Sequence, residues 1–265
     1  MKSFKAGVFM LSLIGIMFIL SFVYLPHDPY SMNVANRFAP PSWENWLGTD
    51  QYGRDVMSRL LLASRSALIV SLGGVGSGMA LGCLLGAIAG YIRGLAGNII
   101  MRVMDGMFAF PNLLLALILV TVMGTGTYNV LAAIALFSVP SFARLMNGFI
   151  LEAGSYGYVK AARSYHAGHA RILFRHMIPA VLPKLGAQIS VALGAGILTE
   201  TALSFLGLGV QPPHPSWGGI LNEAQAFIYL APTYPIIPGC LIFIAVAGFN
   251  LLGDGIAARH KEAVS

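Results

Sequence analysis

Long apolar runs, separated by short stretches rich in glycine, proline and charge, make up most of this chain. A helix needs about 20 mainly apolar residues to cross the hydrocarbon core of a bilayer. Six runs reach that length, at residues 6–25, 67–92, 99–123, 128–149, 181–206 and 233–256. The pattern therefore predicts an all-α membrane protein with six transmembrane helices.

The basic residues flank these runs unevenly. One group of cations lies before the first run, beside the second and third runs, around the fourth and fifth, and after the sixth: Lys2, Lys5, Arg93, Arg102, Arg144, Lys160, Arg163, Arg171, Arg175, Lys184, Arg259 and Lys261. Because cytoplasmic loops carry the excess of Lys and Arg, we expect these regions and both termini to be cytoplasmic. The opposite side then holds residues 26–66, where four arginines balance four acids, a short turn at 124–127, and residues 207–232 with Glu223.

This topology divides the chain into three parts. Residues 1–66 are assigned to the first span and an extracytoplasmic segment, and residues 67–256 to a transmembrane core with a cytoplasmic loop at about 150–180. Residues 257–265 form a cytoplasmic tail. The first run is longer than the roughly 7–15 apolar residues of a signal peptide and no small-x-small cleavage site follows it, so we interpret it as an uncleaved span.

Composition agrees with a membrane protein and excludes several other classes. The chain is 57% hydrophobic and only 10% charged, with a mean hydropathy of +0.75, whereas about a quarter of the residues of a soluble domain are charged. The net charge of +6 is better explained by topology than by nucleic-acid binding, since the cations flank apolar runs. Cys83 and Cys240 are far apart and predict neither a disulfide framework nor a zinc site.

Glycines recur every fourth residue along the second run, at Gly74, Gly78, Gly82, Gly86, Gly90 and Gly94. Small residues at this spacing lie on one face of a helix and let another helix approach closely, which drives much of helix packing in lipid. We expect this face to contact a helix, either in this chain or in another.

Motifs of catalysis and nucleotide binding are missing from the sequence. It contains no GxxxxGK[ST] phosphate loop, no HExxH, no GxSxG and no CxxC. We therefore expect no catalytic, cofactor or metal site in this chain.

Ionisable residues at membrane depth are costly and are candidates for function. Arg102 and Asp105, three residues apart, are interpreted as a structural ion pair. Glu200 is either a packed carboxylate or part of a gate. Four residues are candidates for the transport pathway or its gate: Glu200, Ser204, Asn250 and Asp254. Asn250 and Asp254 are one helical turn apart.

The segment from Tyr158 to Pro179 concentrates basic side chains and three histidines. An unbroken helix would bring His166, His169 and His176 to one face, but Gly168 weakens such a helix, so a metal site is disfavoured. Too few aromatic residues are present for a nucleic-acid site. Ala161 and Ala162 beside Tyr158 and Val159 form a compact apolar knob flanked by cations, which suits a groove on a partner protein. A solvated loop that only sets topology stays possible.

The segment from Tyr158 to Pro179 resembles the EAA loop of the inner-membrane permease subunits of ATP-binding cassette importers, in the branch for dipeptides, oligopeptides and nickel. That loop has the form YVEAAR-x-x-GA-x-x-x-RI-x-x-x-H-x-x-P. The matching residues are Tyr158, Val159, Ala161, Ala162, Arg163, Ala167, Arg171, Ile172, His176 and Pro179. Lys160 replaces the family's glutamate and His166 its glycine. The resemblance assigns this loop, with Lys160, His166 and Gly168, to contact with an ATPase.

Four further stretches resemble the family in the same order along the chain. They are WLGTDQYGRDVMSRLL at 46–61, DGMFAFPNLLLAL at 105–117, ETALSFLGLGVQPPHPSWG at 200–218 and FNLLGDG at 249–255. Several motifs in the right order make the resemblance specific.

The resemblance implies a type I importer permease in the bacterial inner membrane, embedded in lipid and forming half of a translocation pathway. The implied partners are a second, homologous permease, two cytoplasmic ATPases that hold ATP and Mg, and an extracytoplasmic substrate-binding protein. The Ala-Gly-His run at 167–169 and the short N-terminus favour nickel or a metal chelate as substrate, with small peptides as the alternative. A self-sufficient carrier or membrane enzyme is a remote alternative.

Overall fold

The computed structural model describes residues 2–264, with side chains described for residues 3–259; Lys2, Lys261 and most of the predicted tail therefore lie outside the side-chain description. The helices are α1 Lys2–Val23, α2 Val56–Ile92, α3 Gly94–Phe108, α4 Asn112–Met123, α5 Thr127–Ala153, α6 Gly157–Ser164, α7 His169–Phe205, α8 Trp217–Gln225 and α9 Thr233–Val264. Besides these, the described residues include a 3-10 turn at Val34–Asn36 and one isolated β-bridge between Thr49 and Asp55. The predicted all-α class is confirmed.

Five helices are long and apolar enough to cross a membrane: α1, α2, α5, α7 and α9. The bent pair of α3 and α4 becomes a sixth if it is counted as one span. Within the described part of the chain, five to six spans are therefore available.

The third predicted span, 99–123, is wrong as a single helix. α3 and α4 meet at 89° across residues 109–111. Pro111 causes the break, because proline lacks a backbone N–H and disfavours helical conformation in the residue before it. Proline at this position instead starts α4, whose first residue is Asn112.

The helix that contains the fifth predicted span, 181–206, begins earlier than expected, inside the loop predicted at about 150–180. A continuous helical run from His169 to Phe205 passes both Pro179 and Pro183. It does so through a π-helical segment at Ile172–Met177 and a 3-10 segment at Leu182–Leu185. Such local changes of hydrogen-bond register accommodate the missing N–H groups of proline inside a membrane helix.

α2 begins at Val56, within the stretch assigned to the extracytoplasmic side. Asp55 caps it, since its carboxylate accepts hydrogen bonds from the backbone N–H and the hydroxyl of Ser58 at 2.8 and 2.7 Å. An aspartate at this position satisfies one of the free N–H groups of the first helical turn. The helix is thereby longer than the apolar run that predicted it.

The glycine face of α2 packs directly on α5 of the same chain. A Cβ added at Gly78, Gly82 or Gly86 would overlap the carbonyl oxygen of Ala135, Val139 or Ala143. Gly74 and Gly90 meet the same helix near Ile134 and Asn147. The predicted helix contact is confirmed for five of the six glycines, whereas Gly94 lies beyond α2 and touches nothing within 4 Å.

A second close contact joins the ends of the chain. A Cβ at Gly7 of α1 would lie 2.6 Å from the backbone nitrogen of Leu252 on α9, and one at Gly255 would lie 2.6 Å from the Cβ of Phe4. On its other side α9 meets α7, where Gly253 approaches the carbonyl oxygen of Ala187. α9 is therefore held between α1 and α7.

Replacing Gly86 by alanine tests the contact between α2 and α5. Alanine favours helix over glycine by about 1 kcal/mol, but its methyl group would overlap the backbone of α5, and such overpacking costs about 1–3 kcal/mol. We expect Gly86→Ala to lower the unfolding temperature in detergent by several degrees.

Gly76→Ala is the matched control, because Gly76 lies on the same helix with nothing within 4 Å of an added Cβ. Its unfolding temperature is expected to stay unchanged or rise. Equal stability of the two variants would show that α2 and α5 are not in backbone contact.

Candidate coupling helix and exit turn

α6 is a short helix that buries one side chain and exposes most of the others. Val159 is 0% exposed and packs in a cluster with Met146 and Ile150 of α5 and Ile172 and Met177 of α7. The predicted knob residue Ala161 is exposed and Ala162 is half-buried. Val159 therefore anchors α6 to the ends of two long helices, while the rest of its surface is available to a partner.

The outer surface of α6 is cationic. Lys160 and Arg163 are exposed, and the described residues place neither in an ion pair. Tyr158 is half exposed, and partial burial beside Tyr156 raises the pKa of its phenol. Because a phenol is neutral at physiological pH even at its ordinary pKa, α6 presents positive charge beside an uncharged aromatic residue.

An ion pair fixes the approach to α6. The ammonium group of Lys184 lies 2.7 Å from a carboxylate oxygen of Glu152, which also accepts a hydrogen bond from the hydroxyl of Tyr156 at 2.9 Å. This ties the C-terminal end of α5 to the 3-10 segment of α7. The ion pair thus links the residues that precede α6 to those that follow it.

His166 ends α6 in a backbone conformation that favours glycine. Its φ is +54°, and the N–H of Ala167 donates to the carbonyl oxygen of Ala162 at 3.1 Å. This is the hydrogen bond of a Schellman cap, whose left-handed residue is usually glycine. The structure thereby shows why the family pattern has glycine at this position: glycine adopts the left-handed conformation without strain. In this chain His166 adopts the same conformation.

The remaining predicted loop residues lie at the start of α7 or just before it. Gly168 precedes the helix as its N-cap, Arg171 and Pro179 are exposed, and His176 is half-buried. His169 is hydrogen-bonded through Nδ1 to the hydroxyl of Tyr91 at 2.7 Å. Among residues 3–259, no group of three or more His, Cys, Asp or Glu side chains is placed to hold a metal ion.

The predicted pair of Arg102 and Asp105 is wrong. Asp105 instead lies 2.8 Å from a guanidinium nitrogen of Arg144 on α5, and that guanidinium also stacks over Phe108, with Cζ 4.2 Å from the ring centroid. A partner on a neighbouring helix competes successfully with one that is three residues away on the same helix. The pair is half exposed and therefore contributes little stability.

Glu200 is fully buried and bonded at the turn that follows α7. The hydroxyl of Ser204 donates to its carboxylate at 2.8 Å and accepts from the N–H of Val210 at 3.3 Å. The second carboxylate oxygen of Glu200 has no hydrogen-bond partner among the described residues. Gly209 approaches Ser204 so closely that a Cβ there would overlap it. We call residues 204–210 the exit turn; its shape depends on Glu200 and Ser204.

The other two pathway candidates lie elsewhere. Asn250 and Asp254 are exposed on α9, one turn apart, and within the described residues neither makes a side-chain hydrogen bond to Glu200 or Ser204. The structure therefore brings together only two of the four predicted residues.

A buried charge network was missed by sequence reasoning. Arg54 and Arg59 both lie between Asp50 and Glu223, with N–O distances of 2.6 and 2.8 Å for Arg54 and 3.5 and 3.1 Å for Arg59. Asp50 is fully buried and Arg59 nearly so. The network joins the segment before α2 to α8. The balance of acids and arginines in residues 26–66 was the available signal, but it did not reveal that Glu223 joins them.

These features define a multi-pass membrane protein with an exposed cationic helix, α6. Residues 82–261 match the family described as binding-protein-dependent transport system inner membrane component, and the chain belongs to this family. It is 44% identical over 252 residues to the glutathione transport system permease protein GsiD of Pectobacterium atrosepticum, covering 95% of this chain and 83% of that one. It is 41% identical over 216 residues to GsiD of Escherichia coli, covering 82% and 71%.

Membership in this family has direct consequences. The chain is a permease subunit of an ATP-binding cassette importer in the bacterial inner membrane. It is not an enzyme, because ATP hydrolysis belongs to separate ATPase subunits. Importers of this kind also comprise a second permease and a substrate-binding protein.

Replacing His166 by glycine tests whether this position is strained. Left-handed backbone costs a residue with a side chain about 1–2 kcal/mol, while glycine adds about 0.4–1 kcal/mol of entropy to the unfolded chain. We expect His166→Gly to raise the unfolding temperature by about 1–3 °C.

His166→Ala is the control, since it removes the imidazole but keeps a Cβ at the same φ. It is expected to show no such gain. If alanine stabilised the protein as much as glycine, the imidazole rather than the backbone would be the source of the strain.

Proposed function

We propose that this chain forms half of the translocation pathway of an importer for glutathione and related short peptides. The observation that carries the substrate class is the similarity to two permeases named for glutathione transport, one at 44% identity across 95% of the chain. The names of these relatives favour the peptide alternative of the sequence analysis over nickel. The described residues add no cluster of metal-ligating side chains that would favour nickel.

We further propose six spans with both termini in the cytoplasm, with α3 and α4 together forming one of the six. The cations of α6 and of the start of α7 support this orientation: Lys160 and Arg163 lie on α6, and Arg171 and Arg175 lie in the first two turns of α7. Under the positive-inside rule this region is cytoplasmic. The segment before α2, with its balanced charges, then lies on the outer side.

The assembly that we propose contains a homologous second permease, two ATPases and an extracytoplasmic binding protein. This chain holds no cofactor, and ATP with Mg belongs to the ATPases. The binding protein would select the peptide. The permease pair would provide the passage.

α6 is the proposed coupling helix, seated in a groove of one ATPase. Three observations support it: the helix is short, its outer face is exposed, and Val159 joins it to α5 and α7. A displacement of α6 would therefore also displace the ends of α5 and α7. ATP can drive such a change only if the ATPase contacts α6 differently in its two states.

Replacing Ala161 by glutamate tests the coupling helix. Ala161 is exposed on α6, so the substitution places a bulky charge in the proposed contact without disturbing the buried cluster. In proteoliposomes containing the complete importer, we expect ATP-driven uptake of labelled glutathione to fall at least tenfold.

Ala258→Glu is the matched control, because Ala258 is also exposed and lies near the end of α9; its uptake should be close to that of the original protein. Nickel is the second substrate arm, and we expect no ATP-driven nickel uptake. Full glutathione uptake by Ala161→Glu would contradict the coupling role, uptake of nickel alone would contradict the peptide assignment, and uptake by this chain alone would indicate a self-sufficient carrier.

We also propose that Glu200 and Ser204 support an outer gate, because they hold the exit turn. Asn250 and Asp254 are proposed to line the pathway or the interface with the second permease, since they are exposed on α9. Glu200→Gln keeps the volume of the side chain but replaces its carboxyl group by an amide. We expect slower glutathione uptake with an unchanged elution profile of the complex; unchanged uptake kinetics would leave Glu200 as a packing residue.

A further inference from the structure

A groove of about 550 Å³ lies where the end of α2, the end of α6 and the start of α7 meet. The residues that line it and carry polar side chains are Tyr91, Arg93, Arg163, His166 and His169. Two guanidinium groups thus face a groove whose lining contains no carboxylate. A ligand that fills this groove is therefore expected to be an anion.

Neither arginine is neutralised within the described part of the chain, where the ion pairs involve other residues. Arg93 stands at the break between α2 and α3 with a φ of +55°. Arg163 lies near the ring of Tyr91, with Cζ 5.9 Å from the centroid. The hydroxyl of Tyr91 in turn is bonded to His169. These contacts hold the cationic side of the groove in place.

A second groove, of about 490 Å³, continues from the first. It shares Tyr91 and His169 with the first and is otherwise lined by Ile88, Ile92, Ala170 and Leu173. Ile92 is 58% exposed. The two grooves together form one surface, cationic at one end and apolar at the other, along helices that cross the membrane.

We propose that this surface binds an anionic phospholipid. Its phosphate would lie between Arg93 and Arg163, and an acyl chain would lie along Ile88, Ile92 and Leu173. Basic pockets between transmembrane helices are suited to anionic headgroups, and the adjoining apolar groove accounts for the rest of such a ligand. An acidic side chain of a partner protein would satisfy the arginines but would leave the apolar groove exposed.

The position of the site gives it a consequence for transport. A lipid bound there would touch α2, α6 and α7 together, and α6 is the proposed coupling helix. Anionic lipid would then hold α6 against the long helices. This lipid site requires only that the chain is a membrane protein, and it stands whether or not the transported substrate is a peptide.

The test measures stabilisation by lipid in the detergent-purified importer, without ATP or substrate. Phosphatidylglycerol and phosphatidylcholine with identical acyl chains are added, and the unfolding temperature of this chain is followed. We expect phosphatidylglycerol to raise it several degrees more than phosphatidylcholine does. In Arg163→Gln we expect this difference to become smaller. In the double variant Arg93→Gln/Arg163→Gln we expect it to be absent.

Arg102→Gln is the matched control, because Arg102 is an exposed arginine of α3 that does not line the groove; it should keep the full difference. Arg163→Lys, which preserves the charge, should keep most of it and covers the case in which the double variant fails to fold. An undiminished difference in Arg163→Gln would overturn the proposal. So would equal stabilisation by inorganic phosphate, which needs no apolar groove.

Discussion

Backbone contact between α2 and α5 is the constraint on which the rest of the structure depends. In a bilayer, lipid tails are as apolar as the side chains, so helices associate through close packing rather than through removal of apolar surface from water. Five glycines of α2 allow this packing along nearly the whole length of α5. The pair therefore forms a rigid centre against which the other helices are arranged.

α2 also connects the two ends of the molecule. At one end Arg59 joins the carboxylates of Asp50 and Glu223, and the indole N–H of Trp217 on α8 donates to the carbonyl oxygen of Leu60 at 3.3 Å. At the other end Tyr91 contacts the start of α7, and Ala87 packs in the same cluster as Val159 of α6. α2 is thus one continuous helix between α6 and the end that carries Arg59 and Leu60, and its backbone contact with α5 restricts sliding.

Local features of this fold could be predicted from the sequence, and long-range ones could not. The spacing of Gly74 to Gly90 defines a helix face, so the contact was foreseeable, but nothing in the spacing names α5 as the partner. Arg102 and Asp105 share a helix face as well, yet Arg144 from another helix takes the carboxylate. Likewise the apolar runs predicted the spans, whereas proline breaks the helix at Pro111 but is accommodated at Pro179 by a π-helical segment, a difference that the sequence pattern does not reveal.

The two departures from the family's loop pattern now have different physical meanings. His166 affects the chain itself, because the cap of α6 requires a left-handed residue at this position whichever side chain is present. Lys160 is exposed, and within residues 3–259 its side chain takes part in no ion pair that would hold α6 in place. Its charge therefore has little effect on the fold of this subunit. In the proposed coupling role, its effect falls on the ATPase surface that receives α6, and that surface meets the positive charge of Lys160.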